Sequence, residues 1–180
     1  MPLDPRHLTP AASLNRLRIV GLPGITLDGE VRGKTGFDLL STPALAQMIR
    51  EQAGALRLSP ADTARPDRDL PLLLDACLEA DDETIRAAAA HVGQRFGRNL
   101  GWLLLALKRG DAINREARPD WDDSYWQYWA KATAVQLGGG LLKGRLAGFL
   151  GEVGSVFSHA GYGLQDSIVP VRPNAWLRDD

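Results

Sequence analysis

Hydrophobic positions recur most regularly between residues 81 and 109. Ile85, Ala89, Val92, Phe96, Leu100, Leu103 and Leu107 follow one another at spacings of three and four. That period places them on one face of a long helix. Asp81 and Asp82 offer a cap at its start and Gly110 a stop at its end. Beside the apolar stripe, Gly93, Gly97 and Gly101 recur every four residues. Each glycine destabilises an isolated helix by about 1 kcal/mol relative to alanine. The pattern therefore predicts a second element lying against this bare backbone. Gln94, Arg95, Arg98 and Asn99 interrupt the same stretch and argue for a soluble fold rather than a membrane helix.

Shorter patterns fill the rest of the chain. Residues 1–16 carry three prolines and little periodicity, and read as a loose lead-in. Leu17-Arg18-Ile19-Val20 is a strand candidate. Ile25-Thr26-Leu27 and Glu30-Val31-Arg32, separated by Asp28-Gly29, suggest a hairpin. Ser41 or Thr42 caps a helix over 43–53, with Pro43 in its first turn. Residues 54–69 read as a surface connection, and 71–80 as a helix with Leu72, Leu73 and Leu74 facing inward. After Pro119 and Asp120 come a short helix to Lys131, a strand over 132–137, a helix over 141–159 and a strand over 167–172. Pro170 suits an edge position or a strand end. This order predicts a parallel strand pair joined by a right-handed crossover. The fold class expected is α/β, a mixed sheet flanked by helices. Residues 17–180 form one unit, divided into a variable part at 17–80 and a helix-strand-glycine loop-helix-strand part at 81–180.

The candidate chemistry sits in that second part. Ala134-Val135-Gln136-Leu137 runs into Gly138-Gly139-Gly140, and a helix-prone run follows at once from Leu141 and Leu142 to Lys143. Consecutive glycines at a strand-to-helix junction serve either a tight turn or a close approach to a ligand. A helix start offers free N–H groups and partial positive charge, which suit a phosphate. Gly138, Gly139, Gly140, Leu141 and Lys143 are therefore the candidate nucleotide-binding residues, and Arg145 is a further cation beside them.

Residues 84–172 resemble the C-terminal lobe of the actin-like ATPase superfamily of sugar kinases, Hsp70 and actin, most closely the ROK group of repressors and sugar kinases. The resemblance is carried by His91-Val92-Gly93-Gln94-Arg95-Phe96-Gly97-Arg98-Asn99-Leu100-Gly101 and by Val135-Gln136-Leu137-Gly138-Gly139-Gly140-Leu141. It implies a ribonuclease H-like lobe whose glycine turn meets the adenosine and phosphates of ATP or ADP with magnesium. The family's Asp-x-Gly-x-Thr hairpin, its catalytic aspartate and its cysteine-rich zinc cluster have no counterpart here. The resemblance therefore implies a diverged or truncated lobe, with no catalytic residue assigned. A sugar, a second protein lobe or another copy of the chain are the further partners it suggests. The alternative is a non-enzymatic scaffold or regulatory domain acting through a protein interface.

Other patterns have plainer readings. Arg32-Gly33-Lys34-Thr35 matches the end of a phosphate loop, but Asp28 stands where the motif needs glycine, and Gly36-Phe37-Asp38 is a poor helix start. Trp121, Tyr125, Trp126, Tyr128 and Trp129 form either a stacking platform for a sugar or base, or a core anchor. His7, His91 and His159 lack metal-ligand spacing. Asp75, Glu79, Asp81, Asp82 and Glu83 read as caps and solvated charges. A formal charge of −1 gives no reason to expect nucleic acid or an acidic membrane as partner. The single Cys77 excludes an internal disulfide and a cysteine-built zinc site, and fits a reducing compartment. With no apolar signal core and no apolar run longer than 102–107, the chain reads as cytoplasmic.

Overall fold

The computed structural model describes residues 13–137, 144–163 and 165–171. The described residues form a helix-rich fold built on one long helix, with one small parallel sheet beside it. Its helices are α1 (Gly36–Leu40), α2 (Thr42–Glu51), α3 (Pro60–Thr63), α4 (Leu70–Leu78), α5 (Glu83–Arg109), α6 (Ala112–Glu116), α7 (Asp123–Lys131) and α8 (Glu152–His159). Strands β1 (Ala134–Gln136) and β2 (Val169–Val171) pair in parallel, with Ala134 opposite Val169 and Gln136 opposite Val171.

Helix α5 begins and ends as its sequence predicts. Asp82 Oδ1 accepts from the amides of Thr84 at 2.8 Å and Ile85 at 3.4 Å, and these bonds hold its carboxyl below the usual aspartate range. Gly110 closes the helix in the left-handed region at φ 53°, its amide bonded to the Ala106 carbonyl. The helix joins two apolar clusters. Its N-terminal half meets Leu45 and Ile49 of α2, Leu70 and Leu74 of α4, and Leu146. Its C-terminal half, where residues 103–107 are buried all round, meets Leu17, Ile19, the aromatic residues of α7, and Val153, Val156 and Phe157 of α8.

The glycine stripe has the covering element that its composition requires. A Cβ on Gly93 would collide with the Phe149 ring, one on Gly97 with the Phe149 carbonyl, and one on Gly101 would stand 2.8 Å from Val156 Cγ2. The 3-10 turn Arg145–Gly151 and α8 thus ride directly on the α5 backbone.

Several local expectations change. The stretch expected as one helix over 141–159 is a 3-10 segment, Arg145–Gly151, followed by α8, while 141–143 lie outside the described residues. The connection at 54–69 contains α3 and a 3-10 turn, Asp67–Asp69. Leu72 is 70% exposed while Leu70, Leu74 and Cys77 are buried, because three successive leucines cannot share one helix face. The segment 17–20 pairs not within a mixed sheet but with 33–36, through Ile19 N–H to Lys34, Gly33 N–H to Ile19, and Gly36 N–H to Leu17. No hairpin forms across 25–32. Val31 and Arg32 both donate to the Asp28 carbonyl, and Asp28 Oδ1 accepts from the Glu30 amide. That side-chain bond curls the segment into a turn. Gly29 has no positive φ, which a two-residue type I′ hairpin would need. Among the described residues the sheet therefore has two strands, both parallel, rather than a mixed arrangement.

Candidate functional site

Gly138, Gly139, Gly140, Leu141 and Lys143 lie outside the described residues. The structure describes what flanks them. On the near side, β1 ends at Gln136, and the Leu137 amide donates to the Val171 carbonyl at 3.0 Å. On the far side, the chain resumes at Gly144 against α4. The Arg145 amide donates to Asp75 Oδ1 at 2.9 Å, and the Arg145 guanidinium forms an ion pair with Glu79. Gly144 sits so close to the Asp75 carboxylate that a Cβ there would overlap it. A cleft of about 660 Å³ opens at this point, lined by Leu72, Asp75, Glu79, Gly144, Arg145 and Gly148.

The described chain thus stops one residue past the carboxyl end of β1 and resumes at Gly144 beside the acid-bearing face of α4, ahead of the element covering the α5 glycines. Ligands of open α/β sheets bind outside the carboxyl ends of parallel strands. The electrostatics are mixed. Asp75 and Glu79 repel a bare phosphate, and Arg145, which the sequence presents as a phosphate contact, is engaged by both of them. A nucleotide whose charge is reduced by magnesium suits this surrounding better than a free polyanion. The sequence signal missed here is the spacing of Asp75 and Glu79, four apart on one helix face and able to grip a chain segment together.

The other sequence candidates resolve into structure. Trp121, Tyr125, Trp126 and Trp129 are at most 8% exposed and anchor the core, while Tyr128 alone of the five is exposed, at 37%, too little for a stacking platform. Trp121 and Trp126 meet edge-on with ring centroids 5.1 Å apart. Burial raises the Tyr125 phenol above its ordinary pKa. The neighbouring acids are employed locally. Asp122 accepts from the Tyr125 amide at 3.1 Å, Asp123 pairs with Arg115 at 2.9 Å, and Asp120 meets Arg118 Nε at 3.0 Å. Arg118 is 2% exposed and lies over the Trp121 ring at 4.2 Å, where burial lowers its pKa.

In the phosphate-loop-like stretch, Lys34 is exposed and Gly36 begins α1, contrary to the poor helix start read there. Thr35 and Asp38 build a reciprocal cap: Asp38 Oδ2 accepts from the Thr35 amide at 2.8 Å, and Thr35 Oγ1 accepts from the Asp38 amide at 3.2 Å. The threonine hydroxyl is thus committed to a cap. Cys77 is buried, which pushes its thiol pKa up. His91 and His159 are both exposed, and His7 lies outside the described residues. Among the described residues there is no group of three or more side chains placed to hold a metal ion, and no helix long and apolar enough to cross a membrane. Comparison with family models, curated proteins and solved structures gives no match.

Proposed function

We propose that this chain is a nucleotide-binding lobe of the ROK-like, sugar-kinase-like kind within the actin-like ATPase superfamily, incomplete or non-catalytic on its own. The observation that carries the reading is the parallel pairing of β1 and β2 on either side of the glycine run and its crossover helix. Backbone N–H groups of Gly138, Gly139 and Gly140 would meet the phosphates of ATP or ADP, with Leu141 and Lys143 as the further contacts. Magnesium carried by the nucleotide would lower the cost of bringing its negative charge near Asp75 and Glu79. The proposal covers binding, and assigns no general base.

Calorimetric titration with magnesium–ATP tests it. Saturable heat is expected at up to millimolar nucleotide, weaker without magnesium. Gly139→Val is expected to weaken binding at least tenfold while leaving the far-UV circular dichroism spectrum unchanged. Absence of both heat and thermal shift at millimolar nucleotide rules the reading out.

A scaffold or regulatory role, acting through a protein interface, is favoured by a different observation. Val169 and Val171 are 50% and 43% exposed on the outer face of the sheet, beside Ala134 and Gln136. Parallel sheets are ordinarily covered on both faces. If a second copy supplies the cover, light scattering is expected to show a mass that rises with concentration, and Val169→Glu combined with Val171→Glu to hold the chain monomeric. A constant monomer mass for the unmodified chain excludes self-association through this face.

A further inference from the structure

A second hollow lies on another side of the molecule, between the turn-rich segment 21–27 and α6. Its volume is about 640 Å³, within the range of small-molecule sites. Leu22, Pro23, Ile25, Leu27 and Ile113 supply apolar walls. Polar bonds hold those walls apart. Asn114, fully buried, accepts from the amides of Val20 at 2.9 Å and Gly21 at 3.3 Å, and donates to the Gly21 carbonyl at 2.9 Å. Arg109 donates to the Pro23 carbonyl at 2.8 Å. The hollow is thus framed by hydrogen bonds at its base and is not closed by side chains meeting across it.

Two charged side chains line it, and they are not equivalent. Asp111 is neutralised by Arg109, with Nε to Oδ2 at 2.8 Å. Arg32 has no acidic partner among the described residues. Of the acids of its own turn, Glu30 pairs with Arg95 at 3.0 Å, and Asp28 is turned to the Glu30 amide at 3.0 Å and forms no ion pair with Arg32. What remains is an apolar trough with one guanidinium that forms no ion pair among the described residues. A guanidinium matches a carboxylate with two parallel N–H donors, while apolar walls select a hydrocarbon chain.

We propose that this hollow binds a small aliphatic carboxylate, its chain against Leu22, Ile25, Leu27 and Ile113 and its head group on Arg32. A cationic head group of the same length is disfavoured by Arg32, and a neutral one loses the paired hydrogen bonds. The hollow shares no lining residue with the cleft beside Gly144 and Arg145.

Octanoate, 1-octanol and octylamine, titrated one at a time into methyl-labelled protein, test the assignment. Octanoate is expected to shift the methyl resonances of Ile25, Leu27 and Ile113 saturably, with octylamine at least tenfold weaker. Arg32→Gln, at an exposed position, is expected to weaken octanoate at least tenfold and leave octanol unchanged. Ile113→Asp, also on the surface, is expected to abolish binding of both. The assignment is overturned if octanoate gives no saturable shift at these methyls, if octylamine binds equally, or if Arg32→Gln binds octanoate as the unmodified chain does. A peptide ending in a Leu-Leu carboxylate that binds where octanoate fails also overturns it, by making the hollow a chain-end receptor.

Discussion

Gly97→Val is expected to destabilise the fold by about 3 kcal/mol or more, the upper end of the overpacking range. At this position the obstacle is backbone. A Cβ on Gly97 would overlap the Phe149 carbonyl and stand 2.9 Å from Glu152 Cβ, and neither can rotate away. Accommodating valine means lifting α8 from α5, which opens the apolar contacts of Val153, Val156 and Phe157 with the core. For a chain of this size that cost corresponds to roughly 6–12 °C in melting temperature. Gly154 gives the internal control. It lies in α8 with nothing within 4 Å of its notional Cβ, so Gly154→Ala is expected to stabilise by about 0.5–1 kcal/mol through helix propensity alone. Urea denaturation of both variants separates the effects. If Gly97→Val matches the unmodified protein, the close crossing of α8 over α5 is wrong.

Trp126→Ala is expected to cost about 3–5 kcal/mol, as for large aromatic side chains truncated in a core. Trp126 is 1% exposed, meets Trp121 edge-on, carries the Arg115 guanidinium 5.7 Å from its ring, and lies beside Gly110 where α5 ends. Its removal leaves a hole where α7, α5 and the start of α6 converge. Trp126→Phe sharpens the test. The indole Nε1 is buried without a hydrogen-bond partner among the described residues, so phenylalanine sacrifices no bond there and relieves an unsatisfied donor. It is therefore expected to cost markedly less than alanine, with an unchanged urea m-value. Equal losses for both variants would mean that the N–H matters and the packing does not.

How much of this was legible in the sequence varies with the range of the forces involved. The bounds of α5 follow from one aspartate cap, a three-four apolar period and one glycine, all acting within a few residues of one another. The demand for an element over Gly93, Gly97 and Gly101 is also local, because bare helix backbone is costly unless something approaches it. Phe149, Glu152 and Val156 as the residues that approach could not be read, since nothing in their own neighbourhood marks them. The parallel relation of β1 and β2 was legible from element order. The absence of a hairpin at 25–32 was not, because Asp28-Gly29 is a turn signal whose outcome depends on the Asp28 side chain bonding to the Glu30 amide.

The glycine run at 138–140 was visible at once, and its flanks were not. Asp75 and Glu79 read as solvated acids until the chain brings Arg145 back to them across some seventy positions. The aromatic group at 121–129 read as a core anchor more readily than as a platform, and the burial of all but Tyr128 agrees with the anchor. Arg32 and Ile113 carried no mark of belonging to one hollow.

By itself, the sequence determined where α5 starts and stops, which glycines must be covered, and that two strands flanking a crossover run the same way. These follow from capping bonds, periodicity and chain connectivity, which act over a few residues. Only the tertiary structure decided which charges are spent on each other and which apolar surfaces stay open. Pairing and burial join residues far apart in the chain, and no local preference encodes them.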